Sequence, residues 1–256
     1  MIMKQKQRPV IKVENVTIGY GNNIVLNNIN FEVKQGEIFA IMGGSGCGKT
    51  TLLKNIIGLY KPFSGDIKIY GKSMLKASKH EQQLLLQQFG VTYQEGALFG
   101  AMTLAENVAL PLEEFTDYSQ EKIAKIVNEK LKIVDLEGFN DYMPSELSGG
   151  MKKRAGVARA LALEPKLLFF DEPSAGLDPI TSADFDSLIM NLRDKLDTTI
   201  VIVTHELDSI FTVSDRVIML DQRTKGIIAE GDVHKLKQEC HNEWVQEFLS
   251  RKGLKV

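Results

Sequence analysis

The fold is decided by residues 37–53, EIFAIMGGSGCGKTTLL. An apolar run that predicts a buried strand ends in a glycine-rich loop, and an apolar helix pattern follows the loop. Residues 43–50 match G-x-x-x-x-G-K-[ST] at every fixed position. Glycines let successive backbone N–H groups curl around an anion, and a helix beginning near Lys49 adds the positive end of its dipole. The stretch therefore predicts a polyphosphate-binding loop at the end of a strand in an α/β sheet.

The loop residues have distinct predicted roles. Lys49 would neutralise β- and γ-phosphates, and Thr50 would offer its hydroxyl to Mg²⁺. Cys47 is either a passive occupant of a loop position or a thiol made reactive by the helix terminus. The predicted nucleotide-binding residues of this segment are Gly43, Gly44, Ser45, Gly46, Cys47, Gly48, Lys49, Thr50 and Thr51.

Polar residues follow three other apolar runs that predict strands. Residues 167–172, LLFFDE, end in two acids, of which Asp171 is placed to hold Mg²⁺ and Glu172 to act as general base on an attacking water. His205 follows TIVIVT and Gln94 follows GVTY. Strand tips of an α/β sheet are where such folds place ligands, so His205 could contact a γ-phosphate and Gln94 could sense metal or water. We therefore predict Glu172, His205 and Gln94 as catalytic residues, and Thr50, Gln94 and Asp171 as metal ligands.

A second helix start with anion-binding character lies at residues 147–151, LSGGM. Ser148 is the predicted N-cap, and the two glycines after it leave backbone N–H groups accessible, so Ser148, Gly149 and Gly150 are predicted to contact nucleotide. A Gln at position 151 would complete a capping box, but the residue is Met151. The cations at 152–154 oppose the helix dipole, which indicates phosphate or acidic residues nearby.

The hydrophobic patterns predict an α/β fold with a mainly parallel sheet covered by helices, after an opening hairpin-like pair of strands. Residues 94–163 are almost entirely helical in pattern, which indicates a helical insertion. Predicted strands cover 10–18, 24–33, 37–42, 67–70, 90–93, 167–171, 199–203, 215–220 and 226–230. Predicted helices cover 49–58, 79–88, 103–110, 119–135, 148–163, 179–196, 206–213, 232–238 and 242–252.

The composition excludes several classes of protein. The 256 residues carry a net charge of -2, which argues against bulk electrostatic binding of nucleic acid. No apolar run approaches the ~20 residues of a membrane-spanning helix, and the first residues lack a signal-peptide core, so we expect any membrane role to come through partners. The two cysteines form no zinc-ligand spacing, and we expect a reduced, cytosolic chain.

The motifs occur together in one order: Tyr20, the phosphate loop, Gln94, LSGGM, LLFFDE, SAGLD at 174–178, and His205. Over roughly residues 10–240 this order resembles the nucleotide-binding subunit of ATP-binding cassette (ABC) transporters. The resemblance implies a P-loop NTPase (RecA-like) core with an N-terminal antiparallel β-subdomain and an inserted α-helical subdomain. It implies a single domain: a core of about 1–93 and 164–240, a helical subdomain of about 94–163, and a C-terminal helix of about 241–252.

The same resemblance implies site roles and an assembly. It implies a head-to-tail homodimer, in which LSGGM faces the γ-phosphate of the ATP held by the other protomer. Asp178 would join the dimer interface and couple the two sites. Tyr20 would stack on adenine, unless it is a plain strand-end tyrosine.

Three features resemble one subgroup, the ATPase of bacterial Mla-type (maintenance of lipid asymmetry) phospholipid transporters. They are Met151, the segment YQEGALFGAMTLAENVALPL at 93–112, and GLDPIT at 176–181. This resemblance implies an ATPase using Mg²⁺, a permease docking near 95–112, an MCE-domain lipid-binding protein and a small STAS-type regulator. It also implies a peripheral location on the cytoplasmic face of the inner membrane.

The segment Gly96 to Ala105 holds ten residues without a charge, and these either contact a partner or fill the core of the helical subdomain. Two other functions are open. One is a transporter ATPase for another cargo, such as a drug, an amino acid or a lipoprotein. The other is a soluble ABC protein of DNA repair or translation, although such proteins usually carry a long coiled-coil insertion or two cassettes and this chain has neither.

Overall fold

The computed structural model describes residues 9–250. Two compact units make up the chain: Met1–Leu85 with Thr199–Val256, and Leu86–Thr198. Arg251 and Lys252, the last two residues of the helix predicted over 242–252, lie outside the described residues. Within residues 9–250, no helix is long and apolar enough to cross a membrane.

The first unit begins with an antiparallel sheet whose strand order is β2-β1-β4-β5. Its strands are β1 (Pro9–Tyr20), β2 (Asn23–Lys34), β4 (Ser64–Ile69) and β5 (Lys72–Ser73). In β2, Ile29, Phe31 and Val33 are buried while the residues between them are exposed, the alternation expected of a sheet with one face on a core. This confirms the predicted N-terminal antiparallel β-subdomain.

A second group of strands in this unit carries the phosphate loop. Strand β3 (Ile38–Gly43) pairs in parallel with β8 (Thr199–Val203) on one side and β9 (Arg216–Asp221) on the other, and β10 (Gly226–Gly231) adds an antiparallel edge to β9. Every residue of β3 and β8 is buried, as in a parallel sheet covered on both faces. The helices of the unit are α1 (Lys49–Ile56), α2 (Lys79–Leu86), α7 (Leu207–Val213), α8 (Val233–Glu239) and α9 (Glu243–Leu249).

The second unit combines a parallel strand pair with helices. Strand β6 (Phe89–Thr92) pairs with β7 (Leu167–Asp171), and all five residues of β7 are buried. Gly90 allows the end of α5 to approach this pair, because a Cβ there would lie 2.3 Å from the carbonyl oxygen of Ala160. The helices are α3 (Leu104–Phe115), α4 (Gln120–Ile133), α5 (Gly149–Ala160) and α6 (Pro179–Leu196), with a 3₁₀ turn at Pro144–Glu146.

The predicted α/β class, the parallel strand pairs and the helical character of the inserted segment are confirmed. Strand β5 and the 3₁₀ turn were not predicted. The helix predicted over 103–110 was wrong at its end, since α3 continues through Pro111 to Phe115. It continues because Leu112, one turn beyond the buried Val108, is itself buried on the same face.

Candidate nucleotide-binding site

The phosphate loop has a backbone that only glycine adopts readily. Gly43, Gly46 and Gly48 have φ values of 148°, 73° and 102°. A Cβ on Gly43 would lie 2.4 Å from the carbonyl oxygen of Leu220. The N-cap of α1 is Gly48, so no side chain caps the first N–H groups of this helix, and its first turn holds no acidic residue. The loop thus leads into a helix start whose donors suit an anion, as predicted.

Lys49 is held across this loop. Its side chain is almost buried, at 8% exposed, and Nζ donates to the carbonyl oxygens of Gly43 at 3.0 Å and Gly44 at 3.2 Å. The ammonium group is therefore fixed beside the loop, where a phosphate oxygen would exchange with the weaker carbonyl acceptors. Lys49 therefore lies where its predicted role, the neutralisation of phosphate, requires it.

Cys47 is a packed loop residue. The side chain is 2% exposed, and burial raises the pKa of its thiol, although Lys49 acts in the opposite direction. A thiol is nucleophilic only as thiolate, so this environment opposes reactivity. The structure favours the passive alternative for Cys47.

Tyr20 stands beside the first turn of α1. Its hydroxyl lies 3.1 Å from the Oγ1 atom of Thr51, and its ring meets Tyr60 edge to face at 5.9 Å. The side chain is still 50% exposed. Half of this aromatic side chain is therefore available to a partner, while its hydroxyl is held near Thr51.

The remaining predicted residue of the first unit is His205, which follows the end of β8. Its side chain is exposed, and Nε2 lies 3.9 Å from a carboxylate oxygen of Glu206. In the second unit, Gln94 follows β6 and is also exposed. Both residues follow strand ends, as predicted.

Asp171 and Glu172 lie where β7 ends. Asp171 is 8% exposed, and Glu172 adopts a positive φ of 49°, which is uncommon for a residue other than glycine. The carbonyl oxygen of Glu172 accepts a hydrogen bond from Nζ of Lys153 at 3.2 Å. Sparsely populated backbone conformations held by surrounding contacts cluster at functional sites, and Glu172 fits that pattern.

Lys153 was not predicted to have this role. Its buried ammonium also donates to the carbonyl oxygens of Pro173 at 2.8 Å and Ala175 at 2.7 Å, and burial lowers its pKa. Neighbouring Arg154 instead forms an ion pair with the carboxylate of Asp135 at 2.7 Å. This is an acidic residue near the cations at 152–154, as expected. Lys153 differs from Lys152 and Arg154 in being buried. The sequence around these three cations does not show which of them is buried.

We expect Lys153→Met to lower the free energy of unfolding by about 3 kcal/mol, because each buried carbonyl left without a donor costs ~1–3 kcal/mol. The matched control is Lys152→Met, which removes a more exposed ammonium one residue earlier. Urea denaturation of both variants measures the difference. Equal stabilities would contradict the assigned role of Lys153.

The LSGGM helix start has the predicted cap. The Oγ atom of Ser148 accepts from the backbone N–H of Met151 at 3.3 Å, and α5 begins at Gly149. A Cβ on Gly149 would meet open space, whereas a Cβ on Gly150 would lie 2.9 Å from the Cγ2 atom of Thr181. Gly149 therefore leaves the helix start accessible, and Gly150 permits close packing against α6.

Asp178 caps helix α6. Its carboxylate accepts from the backbone N–H groups of Ile180 and Thr181 and from the hydroxyl of Thr181 at 2.5 Å, and these hydrogen bonds lower its pKa. This gives Asp178 a structural role within one chain. Its coupling role between protomers stays a prediction.

The uncharged segment from Gly96 to Ala105 contains both buried residues, which fill a core, and exposed residues, which are available to a partner. Leu104 is buried, whereas Phe99 is 54% exposed. Phe99 lines a groove of about 530 Å³ together with residues of β6, α3 and α5. Arg159 forms part of the groove wall and donates to the carbonyl oxygen of Gly96 at 3.0 Å. The groove residues outside the predicted 95–112 segment, Phe89, Arg159 and Leu163 among them, come from other elements, so no local pattern marks them.

The predicted metal ligands are a hydroxyl, a carboxylate and an amide. In the part of the chain that the structure describes, no three His, Cys, Asp or Glu side chains form a metal-binding group. Mg²⁺ in nucleotide sites needs only a few oxygen ligands from the protein, because waters and substrate phosphates supply its other ligands. Thr50, Asp171 and Gln94 each carry an oxygen donor of this kind, and their role as metal ligands stays a prediction.

Comparison with known proteins decides the family. A family model described as "ABC transporter" matches residues 26–175, more than half of the chain. The chain belongs to the ABC transporter family. Relatives of this ABC chain include the "Intermembrane phospholipid transport system ATP-binding protein MlaF" of Haemophilus influenzae. The two are 42% identical over 230 residues, which cover 90% of this chain and 86% of that one.

A second relative of the ABC chain is the "Probable ribonucleotide transport ATP-binding protein mkl" of Mycobacterium leprae, 42% identical over 210 residues. The match covers 82% of this chain, but the chain spans only 60% of the length of that relative. The solved ATP-binding cassette MJ0796, in a dimeric post-hydrolysis state bound to ADP and Pi, superposes with a TM-score of 0.78 at 33% identity. That match covers 87% of this chain and 98% of the other. The predicted P-loop cassette fold and the prediction of an ABC ATPase are confirmed.

Proposed function

We propose that this ABC chain is the ATP-hydrolysing subunit of a transporter that moves phospholipid through a partner permease. The observation that carries the proposal is the phosphate loop, with Lys49 fixed across its carbonyls and an uncapped helix start behind it. Phospholipid is favoured as cargo because the match to MlaF extends over most of both chains. The shorter match to mkl makes a ribonucleotide the second candidate cargo.

The first unit binds the substrate in this proposal. Adenine stacks on the half-exposed ring of Tyr20, whose hydroxyl lies near Thr51. The β- and γ-phosphates accept from the backbone of residues 43–51 and from Nζ of Lys49. Since the ammonium is already held in place, little conformational freedom is lost when it exchanges carbonyl partners for phosphate.

The catalytic proposal concerns the attacking water. Glu172 orients the water and takes up its proton, and His205 and Gln94 contact the γ-phosphate and the water. Lys153 supports Glu172 by donating a hydrogen bond to its backbone carbonyl oxygen. Thr50, Asp171 and Gln94 would hold Mg²⁺, which would supply positive charge against the β- and γ-phosphates.

We also propose a head-to-tail homodimer, in which each protomer offers residues 148–150 to the ATP of its partner. The open space at Gly149 and the dimeric state of the similar cassette MJ0796 support this arrangement. Asp178 would lie at the interface, since it begins α6 beside the exposed Ile180.

The groove around Phe99 is the proposed permease contact. In the assembled system an MCE-domain protein would carry lipid and a small STAS-type protein would act as regulator, and nucleic acid has no part. The chain would then lie on the cytoplasmic face of the inner membrane, held through the permease. We further propose that residues 1–93 and 164–240 form the core and that residues 94–163 form a helical subdomain inserted in it. A C-terminal helix would follow at 241–252.

Coexpression with the permease, followed by reconstitution in liposomes, tests this function. We expect ATP-dependent movement of a fluorescent phospholipid, and loss of copurification for Phe99→Asp because a carboxylate would be buried in an apolar contact. The control, Tyr118→Asp, changes an exposed aromatic residue outside the groove. Movement of ribonucleotide without phospholipid would overturn the cargo, and normal copurification of Phe99→Asp would overturn the docking site.

A further inference from the structure

Two side chains from the C-terminal part of the same unit lie near the phosphate loop. The Cζ2 atom of Trp244, in helix α9, lies 3.7 Å from the point where a Cβ on Gly44 would stand. The Oε1 atom of Gln222 lies 4.0 Å from the corresponding point on Gly46. Two side chains distant in sequence therefore lie about one methyl group away from glycines that bind phosphate in the proposed function.

The indole ring of Trp244 is held in place on its other sides. Phe248 packs against it with ring centres 5.3 Å apart, and the guanidinium of Arg223 lies 5.6 Å from its centre. Arg223 is itself bound to the buried carboxylate of Asp221 at 3.2 Å. Helix α9 is anchored by the buried Val245 and Leu249 in a core shared with β3 and β9. Trp244 is therefore a rigid neighbour of the loop.

A rigid neighbour matters here because four of the six residues from 43 to 48 are glycines. Glycine loses more conformational freedom on ordering than any other residue, and a binding site that must first be ordered loses affinity. We propose that Trp244 is a positioning residue for the nucleotide site, which braces the phosphate loop at Gly44 in its anion-binding shape. This inference rests on the proposed binding of ATP by that loop.

The expected consequence is a change in affinity with little change in chemistry. Trp244→Leu removes the flat surface beside Gly44. Without it, a smaller fraction of the molecules holds the loop in its binding-competent conformation. The dissociation constant and KM for ATP should rise by about tenfold, the factor expected when the competent fraction falls to roughly a tenth. The kcat value at saturating ATP should stay close to that of the wild type, since Trp244 contacts no reacting atom. Trp244→Phe keeps an aromatic surface and should recover most of the affinity.

Calorimetric titration with MgATP, steady-state kinetics and fluorescence test the proposal on the full chain. Trp244 is the single tryptophan of the sequence, so its emission reports on the loop directly. ATP should change the emission of the wild type with a midpoint equal to the calorimetric dissociation constant. Gln246→Ala is the matched control: it removes the hydrogen bonds from Nε2 to the carbonyl oxygens of Leu236 and Cys240. This loosens the same helix without changing the ring contacts of Trp244, so it should lower the melting temperature while ATP affinity stays unchanged.

The outcomes separate this inference from the proposed function. Wild-type ATP affinity in Trp244→Leu, or ATP binding without any change in emission, overturns the bracing role alone. An equal loss of affinity in Gln246→Ala also overturns it, because general loosening of α9 would then explain the effect. Failure of the wild-type chain to bind ATP would overturn both proposals.

Discussion

Glu172→Gln is expected to lower the rate of ATP hydrolysis by about 10²–10⁴-fold while ATP binding is retained. That range is typical of the loss of a general base. The amide has nearly the shape of the carboxylate but cannot take up a proton from the attacking water. The substitution leaves the backbone carbonyl of Glu172, which Lys153 binds, in place, so the variant is expected to fold.

Hydrolysis of radiolabelled ATP and nucleotide binding by filter retention measure this prediction. Since the substrate remains bound, the variant should also accumulate as an ATP-bound dimer in size-exclusion chromatography. Glu137→Gln is the control, because its carboxylate is exposed and its ion pair with Lys132 lies on the surface. Turnover at the wild-type rate would overturn the assignment of Glu172 as general base.

Lys49→Ala is expected to weaken ATP binding by about 100-fold. The ammonium would form charge-assisted hydrogen bonds to phosphate, and losing two of them costs about 3 kcal/mol, or two powers of ten in affinity. The same change also removes the donor that bridges the carbonyls of Gly43 and Gly44, so the free loop should be less ordered.

Calorimetry with MgATP measures the loss, and Lys61→Ala provides a control at an exposed lysine outside the loop. Thermal unfolding without nucleotide should show a smaller difference between the two variants than the ATP titration does. Unchanged ATP affinity in Lys49→Ala would overturn the phosphate-binding role of the loop.

The fold and most of the candidate site were predictable because their signals are local. The positive φ values at Gly43, Gly46 and Gly48 restrict these positions to glycine, so the loop leaves a pattern in the sequence. Ser148 and Asp178 cap helices through atoms two or three residues away, which again fixes residue type and spacing. Fully buried parallel strands leave continuous apolar runs, as β3, β7 and β8 do.

The end of α3 was not predictable in the same way. Proline disfavours a helix interior, so a local pattern stops the helix before Pro111. In the structure the helix continues past Pro111, because Leu112 is buried where α3 packs against α4 and α5, and this burial stabilises the helix. Tertiary packing overrides a local preference wherever several buried contacts act together.

The sequence by itself determined the phosphate loop, the acid-tipped strand, the capped LSGGM helix and the ABC family that their order indicates. Only the tertiary structure decided which of the cations at 152–154 is buried, that Cys47 is a packed thiol whose pKa is raised by burial, and that Trp244 lies near Gly44. The physical reason is the range of the interactions. Backbone geometry and caps depend on neighbours within one turn, whereas the hydrogen bonds of Lys153 join it to carbonyls 19 to 22 residues away.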